Sequence, residues 1–462
     1  MKLRNRFAYA RGKWYTVRVK KVLSEVPLKY CVKLLLFALC ALETVYLTGC
    51  GMAPAEAVMT ETTVTAMENS PVTEYEVPFY TPGLMVDCEG YSCFGRKEVF
   101  FQGNRLPGEF RILEKETGQV VYTGNFVDVT YNEKVGMYTG SADFSSLQEE
   151  GNYYLECDES GESHPFVIQK GMYETLFGDL YRQVAADCEE DKLTPEEVIT
   201  LLEIYEWYPG AFSDEDGDKV PDVLNSLKRW VEFREAKDEG ERNTSAGQGE
   251  NSANAMLYSA ILARLSYLYQ KFDAGYAAEC LKMATELFDR TEGEAQKSVE
   301  RFLALTELYR VAGGKKYGEA ILAYADFSPQ GEEQKEALFI YAVMTYMSTH
   351  RSSNMDMCEV WMNSLMDEAQ EIANDYTGIL DHFAEKLPEQ AELLKYAMKV
   401  SCANYIMNNH QYTRVGEDFL HYLMGRNGKS ENMYAGEEHR TEYLLLLAPM
   451  AVNEKKTEQK GE

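Results

Sequence analysis

Two patterns of hydrophobic and polar positions divide the chain. Residues 81–170 carry short apolar and β-branched runs: Glu98-Val99-Phe100-Phe101, Gly108-Glu109-Phe110-Arg111-Ile112-Leu113, Gln119-Val120-Val121-Tyr122 and Asn152-Tyr153-Tyr154-Leu155-Glu156. Turn signals at Gly103-Asn104, Thr117-Gly118, Glu150-Gly151 and Ser160-Gly161 separate them. About seven short strands at a spacing of roughly 8–12 residues predict a β-sandwich of about 90 residues. From 171 to 453 the period lengthens. Ser252 to Lys271 places Ala255, Leu257, Tyr258, Ile261, Leu262, Leu265, Leu268 and Tyr269 at three- and four-residue steps, the signature of a helix. Tyr276 to Phe288 repeats it, and further periods run near 172–190, 195–207, 221–236, 296–312, 333–349, 357–374, 389–408, 413–424 and 441–451. Short connections imply antiparallel pairs. The expected architecture is a multidomain β + α chain: an N-terminal β-sandwich, then an α/α toroid or a helical-repeat array. No fixed repeat period is evident. A polar tail covers 454–462.

The N-terminal segment follows neither pattern. Residues 1–33 hold ten Lys or Arg and one acid, Glu25, and the apolar run Leu34 to Leu42 follows. That run is shorter than the roughly 20 residues of a membrane-spanning helix. A basic stretch, a short apolar stretch and small residues before a cleavage point predict a secretory signal. Leu47-Thr48-Gly49-Cys50 resembles a bacterial lipoprotein box, which implies lipidation at Cys50 and a signal peptide over 1–49. The alternative is a plain signal peptide or an anchor helix ending near Tyr46. Residues 50–80, with Met59-Thr60-Glu61-Thr62-Thr63-Val64-Thr65 and Asn69-Ser70-Pro71, read as a flexible tether.

Charge narrows the partners. The 462-residue chain has 46 basic and 75 acidic side chains, a net of −29. Without residues 1–49 the balance is 36 against 73, a net of −37. Such a surface argues against nucleic acid, which needs a basic face. It suits neutral or cationic partners. Cys88, Cys93, Cys157, Cys188, Cys280, Cys358 and Cys402 remain beyond the tether, an odd number without a Cys-x-x-Cys pair. Buried thiols fit better than a zinc site or a disulfide framework. None of the six histidines (His164, His350, His382, His410, His421, His439) forms a zinc-hydrolase pair. No nucleophile elbow or phosphate-cradling glycine loop appears.

The β region resembles the cellulase N-terminal immunoglobulin-like domain. The resemblance rests on Val86 through Gly90-Tyr91, Phe110 to Leu113 with Glu116 to Gly124, Ala142-Asp143-Phe144-Ser145, Gly151 to Leu155, and Ser163 through Ile168. The helical region resembles glycoside hydrolase family 9, the inverting endoglucanases, which implies an α/α toroid of the six-hairpin kind behind the immunoglobulin-like sandwich. The matching blocks are Leu201 to Glu206 with Tyr208-Pro209, Val220 to Leu224, Ala260 to Ala263 with Phe272-Asp273 and Tyr276-Ala277, Glu300-Arg301-Phe302 with Glu307 to Arg310, and Tyr422-Leu423-Met424-Gly425-Arg426-Asn427.

That family implies two opposed carboxyl groups roughly 6.5–9.5 Å apart. Its base comes from an aspartate–alanine–glycine–aspartate motif before the helix that holds Leu201. Residues 176–200 lack it; Asp187, Glu189, Glu190 and Asp191 are acidic without the glycine turn. The stretch from Glu239 to Asn251 is short where the family carries cleft loops, and His439-Arg440 lie too close to the last helix to match its histidine–arginine block. The family's general acid maps to Glu438, five residues before Tyr443. The plainer account of Glu437 and Glu438 is a pair of first-turn acids favoured by the helix dipole.

Two further groups carry chemistry. Asp214, Asp216 and Asp218 around Gly217 form an oxygen-rich loop suited to calcium, or simply a solvated acidic turn, since the twelve-residue EF-hand pattern is incomplete. No other cofactor is implied. Tyr205, Trp207, Tyr208 and Trp230 could stack on sugar rings, although aromatics at helical spacing are more often core. The resemblance implies a lipid-anchored protein of β-glucan or cellulose metabolism at the bacterial cell surface, with hydrolysis lost or weak and glycan binding kept. The competing expectation is a non-catalytic scaffold that binds another envelope protein. The first predicts an open groove with opposed carboxylates, the second a filled barrel mouth.

Overall fold

The computed structural model describes residues 83–461, apart from Lys134 and the segments 243–251, 292–296, 330–332, 377–388, 408–409 and 435–437. Cys50, the signal and tether segments, His382 and Glu437 lie outside the described residues. The β region forms two sheets. One has the strand order β1 (Leu84–Met85), β3 (Glu98–Gly103), β7 (Met137–Asp143), β6 (Val127–Asn132). The other runs β2 (Tyr91–Ser92), β10 (Phe166–Gln169), β8 (Gly151–Cys157), β4 (Glu109–Glu114), β5 (Val120–Asn125), with β9 (Gly161–Glu162) beside β8. Alternation decides which side chains turn inward. Phe110 and Ile112 of β4, Tyr153 and Leu155 of β8, and Val99 and Phe101 of β3 fill the space between the sheets. The register pairs Val99 with Ala142 and Phe101 with Gly140, a large residue against a small one.

The helical region holds twelve α-helices among the described residues, in six outer–inner pairs. The outer members are α1 (Met172–Glu189), α3 (Asp222–Arg242), α5 (Ala274–Thr291), α7 (Lys315–Leu322), α9 (Met355–Tyr376) and α11 (Thr413–Leu423). The inner members are α2 (Pro195–Trp207), α4 (Ser252–Tyr269), α6 (Val299–Val311), α8 (Glu333–Ser348), α10 (Gln390–Ile406) and α12 (Arg440–Gly461). Sequence pattern sorts the two sets. In α5 the buried residues Tyr276, Ala277, Cys280, Ala284, Leu287 and Phe288 form one stripe, as a surface helix requires. In α4, 13 of 18 residues are buried, on all sides, because outer and inner neighbours enclose it. Around the inner ring α2 packs on α4 and α12, α4 on α6, α6 on α8, and α10 on α12. Glu336 of α8 joins it to α10 through Lys395 at 2.7 Å and Lys399 at 2.5 Å.

The twelfth helix runs on through the polar residues 454–461, so the tail read from the sequence is helical. There it makes a joint with the first helix. Gly171, the N-cap of α1, is left-handed (φ 62°) and supplies no side chain. Buried Glu454 instead accepts the amides of Met172 (3.1 Å), Tyr173 (2.8 Å) and Glu174 (3.3 Å). These are amides a helix start leaves unpaired. Thr194 caps α2 by a reciprocal box with Glu197, behind Pro195.

The sandwich and the helices belong to one compact unit. The Cys88 amide donates to the Met424 carbonyl at 2.8 Å, Asn432 donates to Glu89 at 2.5 Å, and the Arg426 guanidinium lies 4.7 Å from the Phe100 ring centre. Gly425 has φ 111°, and a Cβ there would sit 2.4 Å from the Cys88 sulfur. Only glycine lets the two segments meet so closely. All seven described cysteines are free, Cys88 and Cys93 among them.

Candidate active site

The inner helices point the same way, so their N-terminal ends share one face of the ring. Glu438 stands there, one residue before the turn that opens α12, and is exposed. His439 follows with φ 60°, its Nδ1 3.8 Å from Glu442, whose carboxylate holds the imidazole above its ordinary value. The next residue, Arg440, reaches back to Asp187 at the end of α1. Lys192 approaches the same carboxylate at 3.7 Å. The neighbouring acids are also paired: Glu190 with Lys192 at 2.5 Å, Glu189 with Arg229 at 2.9 Å, and Asp191 with Arg234 at 2.9 Å. Each carboxylate considered as a substitute base therefore faces a basic side chain of the fold. Behind this rim Gln390 donates to the Tyr443 hydroxyl (2.8 Å) and the Met433 carbonyl (3.0 Å), and Tyr434 packs edge-on against Tyr443.

Side chains of four inner helices meet in an ionic cluster at the axis of the ring. From α2 come Glu203 and Glu206, from α4 Arg264, from α6 Glu307 and Arg310, and from α8 Thr345. Arg264 donates to Glu307 Oε1 at 2.9 Å and to Thr345 Oγ1 at 2.8 Å. Its Nη1 lies 2.6 Å from Glu203 Oε1, an ion pair without hydrogen-bond alignment. Arg310 donates to Glu307 Oε2 at 2.7 Å and to both oxygens of Glu206, at 2.6 and 2.9 Å. Burial pushes the Glu203 carboxyl up to about 8, against the pull of Arg264 and with help from Glu206 and Glu307. Burial acts on Glu206 as well, but Arg264 and Arg310 outweigh it and hold that carboxyl below the usual range. Three carboxyl groups thus meet two guanidiniums, and a proton on Glu203 leaves the cluster neutral. The sequence carried a signal for this group: charges inside helices that are apolar all round have no solvent face to occupy and must be paired inside.

The aromatic candidates separate. Trp230 is fully buried, with Arg234 4.2 Å over its ring, so no face remains for a sugar. Tyr205 is buried against Phe212. Trp207 stacks on Tyr405 (5.1 Å, 17°) and meets Tyr341 edge-on. Tyr208 is half-buried beside Tyr405, whose ring is the exposed member of the group. These residues end α2 and α10, away from the rim that carries Glu438. Asp214, Asp216 and Asp218 bring one oxygen each within 4.8 Å of the others. All three are exposed, and their carboxylates accept loop amides: Gly217 and Lys219 on Asp214, Asp218 on Asp216, and Val220 on Asp218. A cavity of about 610 Å³ opens on the outside of the ring, between α3 and α5, lined by Lys228, Glu232, Asp273, Tyr276 and Glu279 among others.

An Ig-like sandwich leading into a ring of six helix pairs, with carboxylates and aromatics at the ring's ends, defines an α/α-toroid protein of the glycoside-hydrolase kind. Comparison with known proteins gives the family. Residues 80–162 match the cellulase N-terminal ig-like domain, and residues 210–443, just over half of the chain, match glycosyl hydrolase family 9. The chain belongs to glycosyl hydrolase family 9. Over 64 residues, 14% of the chain, it is 44% identical to endoglucanase D of Acetivibrio thermocellus, and it spans only 10% of that enzyme's length. Among solved structures it is similar to a metagenome-derived family 9 endoglucanase (TM-score 0.62, 16% identity, 76% of this chain and 84% of that one). It is also similar to the D468A variant of a thermostable endoglucanase from Alicyclobacillus acidocaldarius (TM-score 0.58, 16% identity, 76% and 83%). A third likeness is to a family 9 protein of Bacteroides ovatus (TM-score 0.57, 12% identity, 81% and 99%). At these identities the structures establish the fold.

Proposed function

We propose that this protein retains a neutral β-glucan at the bacterial cell surface and has lost, or nearly lost, the hydrolysis its family performs. The observation that carries the reading is the pairing at the rim. Inversion needs a free carboxylate to activate water opposite the acid. Asp187, Glu189, Glu190 and Asp191 each face Arg440, Lys192, Arg229 or Arg234 instead. Glu438, exposed just before α12, stands where the resemblance puts the family's acid. The lipid anchor at Cys50 rests on the sequence, and fatty-acid labelling that Cys50→Ser abolishes tests it.

The deciding experiment measures reducing-end release by full-length protein and Glu438→Gln on cello-oligosaccharides and mixed-linkage β-glucan, beside retention in an affinity gel of the same glucan. The expected result is retention without release by either protein. Release by the parent that Glu438→Gln abolishes would overturn the loss of catalysis. A second reading, a scaffold for another envelope protein, is favoured by the inner helices, whose carboxylates Glu203, Glu206 and Glu307 are all engaged by Arg264 and Arg310. Absence of retention would select it.

A further inference from the structure

The contact that joins the sandwich to the helices contains a buried acid–imidazole pair. Asp87, between β1 and β2, and His421, in the last turn of α11, are both fully enclosed, with Oδ2 2.6 Å from Nδ1. The other oxygen of Asp87 accepts the amides of Glu89 (2.8 Å) and Gly90 (3.0 Å). The Asp87 amide donates to the Tyr91 hydroxyl, which donates to the Glu98 carbonyl. The Tyr91 ring lies 5.3 Å from the imidazole. Just after His421 come the attachments of the loop between α11 and α12: Cys88 to Met424, Glu89 to Asn432, and Gln102 to the Gly428 carbonyl. That loop leads to the rim residues.

We propose that Asp87 and His421 form a one-proton latch between the sandwich and the end of α11, closed in mildly acidic solution and slackened as the pH rises. The closed site holds one proton, as acid and neutral imidazole or as an ion pair: with none it would bury the net charge of a bare carboxylate, with two that of an imidazolium. When the contact opens, each group returns to water and to its ordinary titration, near 3.9 for the acid and 6.5 for the imidazole.

Among the described residues, the titratable and charged groups around the pair come from several elements. The turn contributes Cys88 and Glu89, β2 contributes Tyr91, and β3 with the residues before it contributes Arg96 and Glu98. From α1 comes Tyr173, from α11 Arg414, Glu417 and Asp418, and from the following loop Arg426. Arg96 links Glu98 (2.5 Å), Glu417 (3.4 Å) and Asp418, while Arg426 links Asp418 at 2.7 Å and Glu98 at 3.5 Å. These guanidiniums disfavour an imidazolium. Burial, with Arg426 and Arg96, drives His421 well below its usual value, and burial drives Asp87 well above its own. Between about pH 3.9 and 6.5 open and closed forms each hold one proton, so the balance is flat. Above 6.5 the open form holds none, and closing must take a proton from solution. Below 3.9 the open form holds two. The latch therefore weakens on either side of the plateau, up to tenfold per pH unit.

The test compares urea unfolding of full-length protein and Asp87→Asn from pH 4.5 to 8.5. The asparagine amide donates to His421 as the protonated acid does, and it does not titrate. Asp87→Asn holds no proton at the closed site, while its open form still protonates His421 below pH ~6.5, so the unfolding constant of the parent divided by that of the variant should rise throughout the range, by up to about tenfold per pH unit. Parallel profiles would overturn the latch. Histidine-labelled wild-type protein gives a reading that needs no variant. The His421 ring nitrogens should show no protonation step between pH 4.5 and 6.5, and an ordinary step near 6.5 would sink the proposal.

Discussion

Replacing Glu203 with Gln probes the axis cluster directly. In an unfolded chain a glutamate keeps its proton only below about 4.3. In the fold Glu203 keeps it up to about 8. The folded-state value is raised, so this group's contribution is fully present below pH ~4.3 and is lost as the pH rises through 8. Within that window folding takes up one proton, at ~1.4 kcal/mol per pH unit, or ~2.7 kcal/mol between pH 5 and 7. The amide of Glu203→Gln copies the protonated carboxyl and removes the proton from the balance. The variant should therefore gain on the parent by ~2.7 kcal/mol between pH 5 and 7 and gain little more above pH 8. Urea unfolding followed by tryptophan fluorescence, at half-unit pH steps from 4.5 to 9, measures the difference. A constant offset across the range would refute the reasoning. It would mean that Glu203 stays ionised and that Arg264 serves Glu203 and Glu307 together.

Three further outcomes follow from the packing. Glu454→Ala strips the acceptor from the first amides of α1 and should cost about 1–3 kcal/mol in urea unfolding. Lys97→Met should cost about 2–4 kcal/mol, because the enclosed ammonium donates to the carbonyls of Ser92, Cys93 and Gly95, which would lose their donor. Trp230→Phe should cost about 1–3 kcal/mol and leave glucan retention unchanged. A selective loss of retention at full stability would put a sugar against that ring.

The pattern of the sequence announced most of the fold, because alternation and helical period are local. Phe110 and Ile112 show their strand within six residues, and Tyr276 to Phe288 shows its stripe within one helix. The exception is α7, eight residues after Gly313-Gly314, too short to display a period. The site was less legible. Glu203, Arg264 and Glu307 lie far apart in the chain, and no spacing rule brings three helices to one axis. Whether the acids from Asp187 to Asp191 are free was not legible, because a sequence shows a carboxylate but not the basic side chain opposite it. Trp230 looked like a sugar platform for the same reason: its residue type was visible, its burial under Arg234 was not.

The carboxylate of Glu454 resting on the first turn of α1 gives the ring a seam, and the seam has an order in time. When the chain emerges from its N-terminus, the sandwich strands are all available once Gln169 is out, so that domain can form before the helices are complete. The ring cannot close until its last helix arrives, some 280 residues after the first. Until then α1 begins with bare amides and the flank that α12 will cover is open. Vulnerability to aggregation during folding therefore belongs to the helical half, and it ends when a single side chain near the far end of the ring finds its seat.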